Sequence, residues 1–262
     1  MNRPATRVQL ARGYVLHRYP FRDSSLILEV FARDHGRISL FARAVRGPRM
    51  RGALLEPFDA LLLSWSGRGE SPALTGAEYA AAPTPLPAAR LMSGFYLNEL
   101  LLRLTTRNDS QPELFDAYEQ ALSGLRAGHD GEAALRRFEV RLLALIGYGL
   151  NLSTEADTGR PVRDGASYHF QPGVHGVVLA HHDAQAHQDA QDRQDAHDRA
   201  APVAGEVLRR LATGAGFEDA AQGRQARALM RAALDHCLEG RALRTRAVAR
   251  ALSGFPRREG RV

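Results

Sequence analysis

A chain of 262 residues, 44% hydrophobic and 24% charged with a formal net charge of +6, can bury one or two sizeable cores and has the composition of a soluble globular protein. Its longest apolar stretches, such as Leu97 to Leu104, fall far short of the ~20 residues a membrane span needs, and the first residues carry no apolar signal core, so the expected location is the cytoplasm. The single cysteine, Cys237, excludes an internal disulfide and any four-cysteine metal site.

The first 80 residues read as strands joined by short turns. Val8 to Tyr19 and Ser24 to Ala32 are apolar and partly β-branched, and Arg33 to Gly36 ("RDHG") supplies a hairpin turn before Arg37 to Val45. An arginine-rich loop, Arg46 to Gly52, then leads to Pro57 to Trp65, a glycine turn over Ser66 to Gly69, and Ala73 to Ala80. Five strands in this length suit a small closed barrel, with the oligonucleotide-binding (OB) fold as the first candidate and an SH3-like barrel left open. Three prolines in Ala82 to Ala88 mark the boundary at which the pattern becomes helical.

Phe95, Leu97, Leu100, Leu101 and Leu104 recur at helical spacing, Gln111 to Leu125 opens with proline in the first turn, and Gly131 to Gly149 is amphipathic and ends in glycine. Phe138 belongs to this helical pattern and reads as core. From Asn151 to His182 the helical period gives way to glycine, proline and short β-like pieces, and from Asp183 a polar repeat with a period of six runs to about residue 200. That repeat has no apolar stripe with which to join a core, and it reads as a linker. Helices resume over Ala201 to Ala212, Gly223 to Gly240 and Arg241 to Leu252, with Cys237 on an apolar helix face. The domain organisation expected is a barrel (1–80), a helical domain made from 83–150 and 203–262, an insertion (151–182) and a linker (183–200).

All 35 basic residues are arginine. Residues 1–80 hold 12 arginines against 7 acidic residues and residues 203–262 hold 12 against 6, whereas the stretch between them is neutral to acidic. Two basic lobes point to a polyanionic partner. Arg33, Arg37, Arg43, Arg46, Arg49 and Arg51 cluster around one hairpin and the loop after it, close in sequence to Tyr19 and Phe41. Single-strand binders built on such barrels join a cationic groove to aromatic faces, because phosphates take the charge and bases take the stacking surface. Alternation along a strand could turn Phe41 inward or outward.

Catalytic patterns are missing from the sequence. A chain without lysine cannot supply a phosphate-binding GxxxxGK[ST] loop, no serine stands in a GxSxG elbow, and the helix carboxylates fall at ordinary surface spacing. The expectation is a protein that is not an enzyme, with a hydrolase built on the His and Asp cluster near residue 180 as a distant alternative.

The order of segments resembles the RecO family of recombination mediators over nearly the full length. The carrying residues are Arg12 to Phe58 ("RGYVLHRYPFRDSSLILEVFARDHGRISLFARAVRGPRMRGALLEPF"), Phe95 to Thr105, Leu135 to Leu152 ("LRRFEVRLLALIGYGLNL") and Glu239 to Leu252 ("EGRALRTRAVARAL"). The resemblance implies an α+β multidomain protein: an N-terminal OB-fold barrel, then a mainly helical domain with a zinc-ribbon-like insertion. It implies binding of single- and double-stranded DNA, annealing of complementary strands, contact with single-strand-binding protein, and action with RecR in loading RecA, in the cytoplasm at the nucleoid. DNA contacts are then expected from the barrel arginines and from Arg241, Arg244, Arg246 and Arg250, and partner contacts from Arg136 and Arg141. The contrasting reading is an adaptor whose barrel binds a protein.

Many relatives carry two Cys-x-x-Cys pairs in the insertion. Laid on that pattern, the positions here hold Glu155, Thr158, Leu179 and His182. Leucine cannot bind zinc and threonine very rarely does, so of these four at most Glu155 and His182, with Asp157, His175 and His181 nearby, could contribute to a metal site. The expectation is a ribbon without metal, its hairpin held by packing of Tyr168, Phe170, Val177 and Val178, and no cofactor.

Overall fold

The computed structural model describes residues 6–22, 24–43, 55–128, 131–180 and 201–253. The chain divides into two compact units, Met1–Gly128 with Leu243–Val262, and His129–Ala242. Among the described residues five strands are followed by helices α1 (Leu91–Leu104), α2 (Pro112–Ala127) and α3 (Gly131–Leu145), and four further strands by α4 (Gly205–Thr213), α5 (Ala220–Cys237) and α6 (Arg244–Ser253). The segments 83–150 and 203–262, alike in helical period, are therefore shared between the units: α1, α2 and α6 belong to the first, α3 to α5 to the second.

Strands β1 (Thr6–Phe21), β2 (Ser25–Ala32), β3 (Gly36–Ala42), β4 (Leu61–Gly67) and β5 (Ala73–Tyr79) close a barrel in the order β1-β2-β3-β5-β4. Neighbours are antiparallel except β3 and β5, which run parallel. With 16 residues, β1 is long enough to pair with β2 through its second half and with β4 through its first, and so closes the ring. This is the five-stranded, OB-like barrel expected from the strand pattern.

Strict alternation fills the barrel. Leu28, Val30 and Ala32 from β2, Ile38, Leu40 and Ala42 from β3, and Leu61, Leu63 and Trp65 from β4 form one buried cluster with Val15, Leu55 and Leu74. Each leucine taken fully out of water contributes about 1.5–3 kcal/mol. The hairpin turn at Gly36 (φ +66°) needs glycine twice over. A Cβ there would enter the left-handed region and lie 1.8 Å from the carbonyl oxygen of Asp109.

Helices α1 and α2 cover one part of the barrel's outer surface. Phe31 of β2 and Tyr14 of β1 pack against Phe115 and Tyr118 of α2, with ring centroids 5.2–6.3 Å apart. A bulge between Val15 and His17 interrupts the β1/β2 register. The Leu16 carbonyl at that bulge accepts a hydrogen bond from the Asn98 amide at 2.9 Å, and the Asn98 oxygen accepts one from the Tyr118 hydroxyl at 2.6 Å. Burial holds the Tyr118 phenol far above its ordinary range, which keeps it protonated and a donor.

In the second unit, β6 (Asn151–Glu155), β7 (Ser167–Gln171), β8 (Gly176–Leu179) and β9 (Val203–Ala204) form a sheet in the order β6-β8-β7-β9. The expected hairpin is β7/β8, in which Tyr168 faces Leu179 and Phe170 faces Val177. Tyr168, Phe170 and Val177 are buried and Val178 is partly so. Strand β9 enters where the sequence pattern suggests only helix. Phe138 is buried on α3, as its helical spacing requires. Cys237, at the end of α5, is half-buried, and burial raises its thiol pKa. The polar repeat of 183–200 and His181 and His182 lie outside the described residues.

Candidate nucleic-acid interface

On the outer face of the β1-β2-β3 sheet, residues alternate with the barrel core. Tyr19, Ile27 and Phe41 share one cross-strand row, and Tyr14, Phe31 and Arg37 share another. The second row lies under α2. The same face ends in an arginine–aromatic ladder.

Phe41 meets Phe21 edge to face at 5.5 Å, Arg43 sits 5.6 Å from the Phe41 centroid, and Arg22 sits 5.4 Å from that of Phe21. Phe21 is 37% exposed and Tyr19, which meets His17 at 4.4 Å, is 46% exposed. The alternation that buries Leu40 and Ala42 thus turns Phe41 outward. Cation–π attraction of about 0.5–1 kcal/mol per exposed pair orients the guanidinium groups while leaving their donor edges in water. Aromatic faces flanked by arginines in this way can stack unpaired bases and hold the adjoining phosphates.

The other predicted arginines are distributed unevenly. Arg33 gives Nε and Nη2 to the two carboxylate oxygens of Asp116, both at 3.2 Å, and so ties the β2/β3 turn to α2. Arg37, 14% exposed, bonds the buried Glu29 at 3.0 Å and the Thr105 carbonyl at 2.8 Å, and Arg107 pairs with the other Glu29 oxygen. These two join barrel to helices, whereas Arg43 faces the ladder. Arg46, Arg49 and Arg51 lie outside the described residues.

On α6, Arg246 stands 5.9 Å over the Tyr96 ring and Arg250 bonds back to the Arg246 carbonyl at 3.4 Å. Arg244 lines one cleft with Tyr19, His17 and Arg37. Both basic lobes of the sequence therefore contribute to one side of the first unit. Arg241 belongs to the second unit, 3.5 Å from Glu239.

Phe21 and Arg22 escaped the sequence reading, although Phe21 continues the two-residue alternation from His17 and Tyr19 toward the strand end. That periodicity, extended past Pro20, is the signal that would have found them.

In the second unit, Arg136 is buried on α3, where it bonds Glu139 at 2.7 Å and approaches Glu132 at 3.7 Å. Glu132 in turn holds Arg227 of α5 with two hydrogen bonds, of 3.1 and 2.6 Å. Arg136 is thus part of the packing of α3, whereas Arg141 is exposed on the same helix.

At the first pair of the aligned Cys-x-x-Cys pattern, the Thr158 hydroxyl donates to the Glu155 carboxylate, and Gly159 N donates to the Glu155 carbonyl at 2.9 Å. Glu155 is buried, Asp157 accepts from the Thr158 N–H at 2.9 Å, and His175 packs against Tyr148 and His236 at 5.3 and 5.8 Å. Among the described residues no group of three or more His, Cys, Asp and Glu converges as a metal site. With Leu179 at a third ligand position, these residues do not fit a tetrahedral zinc centre. A side-chain hydrogen bond closes the turn that two thiolates would close around zinc.

Two family models match the chain, Recombination protein O N terminal over residues 8–82 and Recombination protein O C terminal over residues 88–247. The chain belongs to the RecO family. Relatives named DNA repair protein RecO include one from Aromatoleum aromaticum, 40% identical over 248 residues, covering 94% of this chain and 97% of the relative. Another, from Thiobacillus denitrificans, is 41% identical over 258 residues, covering 94% of this chain and 93% of the relative. A third, from Alkalilimnicola ehrlichii, is 44% identical over 257 residues, covering 96% and 94%. Membership in the RecO family supports a role in DNA repair and recombination. The boundary between the RecO N-terminal and C-terminal matches falls in the proline segment that follows the barrel. Among the described residues no helix is long and apolar enough to cross a membrane.

Proposed function

We propose that the chain is a recombination mediator in DNA repair, without catalytic activity of its own. It binds single- and double-stranded DNA, anneals complementary strands, and with RecR helps to load RecA onto DNA coated by single-strand-binding protein, in the cytoplasm at the nucleoid. The observation that carries this reading is the exposed ladder Arg22–Phe21–Phe41–Arg43 on an OB-like barrel. Stacking on its rings favours unpaired bases, and arginines supply the phosphate contacts that dominate affinity. The phosphate contacts of this reading are Arg43 beside the ladder, with Arg46, Arg49 and Arg51 following it in sequence, and Arg244, Arg246 and Arg250 of α6; Arg241, in the second unit, is a further candidate. Arg141, exposed on α3, is the better of the two candidates for contact with single-strand-binding protein, because Arg136 is enclosed by glutamates.

The test is to titrate labelled single-stranded DNA with and without RecR and single-strand-binding protein, following annealing in the same sample. The combined change of Arg43, Arg46, Arg49 and Arg51 to alanine separates this reading from a protein-binding adaptor. Loss of DNA binding supports the mediator, whereas intact DNA binding with loss of partner binding favours the adaptor.

A further inference from the structure

We infer that the cleft lined by β1, α1 and the N-terminus of α6 holds an unstacked nucleotide of a single strand. The inference rests on the DNA-binding reading above and assigns to it a second subsite, distinct from the ladder.

The cleft has a volume of about 600 Å³, within the range of pockets that enclose small organic ligands. His17 and Tyr19 come from β1, Phe95 and Leu102 from α1, and Arg244 and Val248 from α6. Phe95 is 40% exposed and Val248 47%, so with Tyr19 three large apolar side chains stay in water around one opening. Such a concentration of exposed apolar surface on a polar-rimmed cleft marks a binding site.

Its charge selects the ligand class. Arg37, Arg103, Arg107 and Arg244 line it against Glu29 and Glu99, four positive groups against two negative. Both glutamates are engaged within the protein. Glu29 pairs with Arg37 and Arg107, and Glu99 accepts from the backbone N–H groups of Arg244 and Thr245, both at 2.8 Å, and from the Thr245 hydroxyl at 2.7 Å. The Arg244 guanidinium is exposed and makes no ion pair among the described residues. An anion is the complementary ligand.

Arg103 approaches Glu99 at 3.8 Å, so among the described residues of the cleft the unpaired guanidinium is that of Arg244; aromatic rings beside it suit a base with its phosphate more closely than a bare anion. Continuity with the ladder argues the same way: Tyr19 at the cleft shares a cross-strand row with Phe41. A strand lying on Phe21 and Phe41 would reach the cleft by following β1. Bases within a duplex are stacked and cannot enter, so this subsite favours unpaired DNA.

The test uses the full-length chain and oligothymidylate bearing one 5-iodouracil at successive positions, cross-linked by light and mapped by mass spectrometry. The expected result is cross-links at Tyr19 or Phe95 from one set of positions and at Phe21 or Phe41 from another. Phe95→Ala and the pair Arg103→Ala with Arg244→Ala are expected to weaken single-strand binding about 5- to 100-fold, and Phe95→Ala, which removes no phosphate contact, leaves duplex binding within about 2-fold. Because the cross-linking uses the unaltered protein, a variant that fails to fold does not decide the question. Tight binding with cross-links confined to the ladder, and unchanged affinity in folded cleft variants, overturns the cleft assignment and leaves the mediator reading standing. Absence of any single-strand binding removes both. Displacement of the cleft cross-links by an acidic peptide, with DNA affinity unchanged, would also overturn the assignment in favour of a peptide site.

Discussion

The side-chain amide of Asn98 donates to the carbonyl oxygen of Leu16 across 2.9 Å, at the bulge where β1 shifts register against β2. A bulge leaves one residue outside the ladder, and here its carbonyl is buried, so a donor has to come from elsewhere. Asn98 supplies it from α1, and Tyr118 from α2 fixes the amide by donating to its oxygen. Beyond the bulge, His17, Tyr19 and Phe21 continue along the outer face.

Replacing Asn98 with leucine takes away the amide that donates to the Leu16 carbonyl and the oxygen that accepts from the Tyr118 hydroxyl. The expected loss is about 1–3 kcal/mol for the carbonyl alone, read as a lower urea midpoint. Tyr118→Phe, which removes the hydroxyl that donates to Asn98, is expected to cost about 1 kcal/mol. An Asn98→Leu variant as stable as the parent would show that the bulge is satisfied some other way.

Glu99 links α6 to α1 in a pH-dependent manner. Burial alone would raise its carboxyl pKa, but hydrogen bonds from Thr245 and the Arg244 N–H, with the Arg103 charge, hold it below its ordinary 4.5. A carboxylate depressed in the folded state contributes stability that is fully present above the unfolded pKa and is lost as pH falls through the folded value. The protection of α6 amides against hydrogen exchange, taken relative to the intrinsic rate at each pH, should therefore be high above pH 5 and fall progressively below about 4.5. Glu99→Gln should exchange faster at neutral pH and lose that acid dependence; equal protection in both proteins at every pH would contradict the link.

Gly36→Ala tests the hairpin turn. Left-handed backbone costs a non-glycine residue about 1–2 kcal/mol, and the new methyl would also meet the Asp109 carbonyl, 1.8 Å from its ideal place. Destabilisation larger than the backbone term alone is expected. A melting temperature within a degree of the parent would show that the 109 segment yields freely.

At the Glu155 turn, Thr158→Val removes the hydroxyl that the buried carboxylate accepts. A hydrogen bond to a charged group is worth about 1.5–3 kcal/mol, so the second unit should melt earlier by a corresponding amount. Treatment of the tag-free protein with a chelator should leave its melting unchanged. One tightly held equivalent of zinc, lost together with stability on chelation, would contradict the account.

The barrel was legible because strand alternation is local: Leu28, Val30, Leu40 and Leu63 declare the core face in the sequence itself. The helices of 91–145 were legible for the same reason at the helical period. Three features were not. The bulge at Leu16 follows from a partner on α1, 82 residues away. Strand β9, Val203–Ala204, is two residues long and carries no period at all. Arg33 and Arg37 look like free cations in the chain, because their carboxylates, Asp116 on α2 and Glu29 on the neighbouring strand, become partners only through the fold. Conversely, Phe41 was ambiguous until the packing of Leu40 and Ala42 settled its direction.

The most direct test of the central claim is the affinity of the full chain for a single-stranded oligonucleotide, measured across a salt series with the parent and the Phe21→Ala/Phe41→Ala variant. The account predicts that log affinity falls linearly with log salt, by about 0.7 per phosphate contact, and that the variant binds at least about 5-fold more weakly with the same slope. An affinity indifferent to salt, or a folded variant that binds as tightly as the parent, would contradict it.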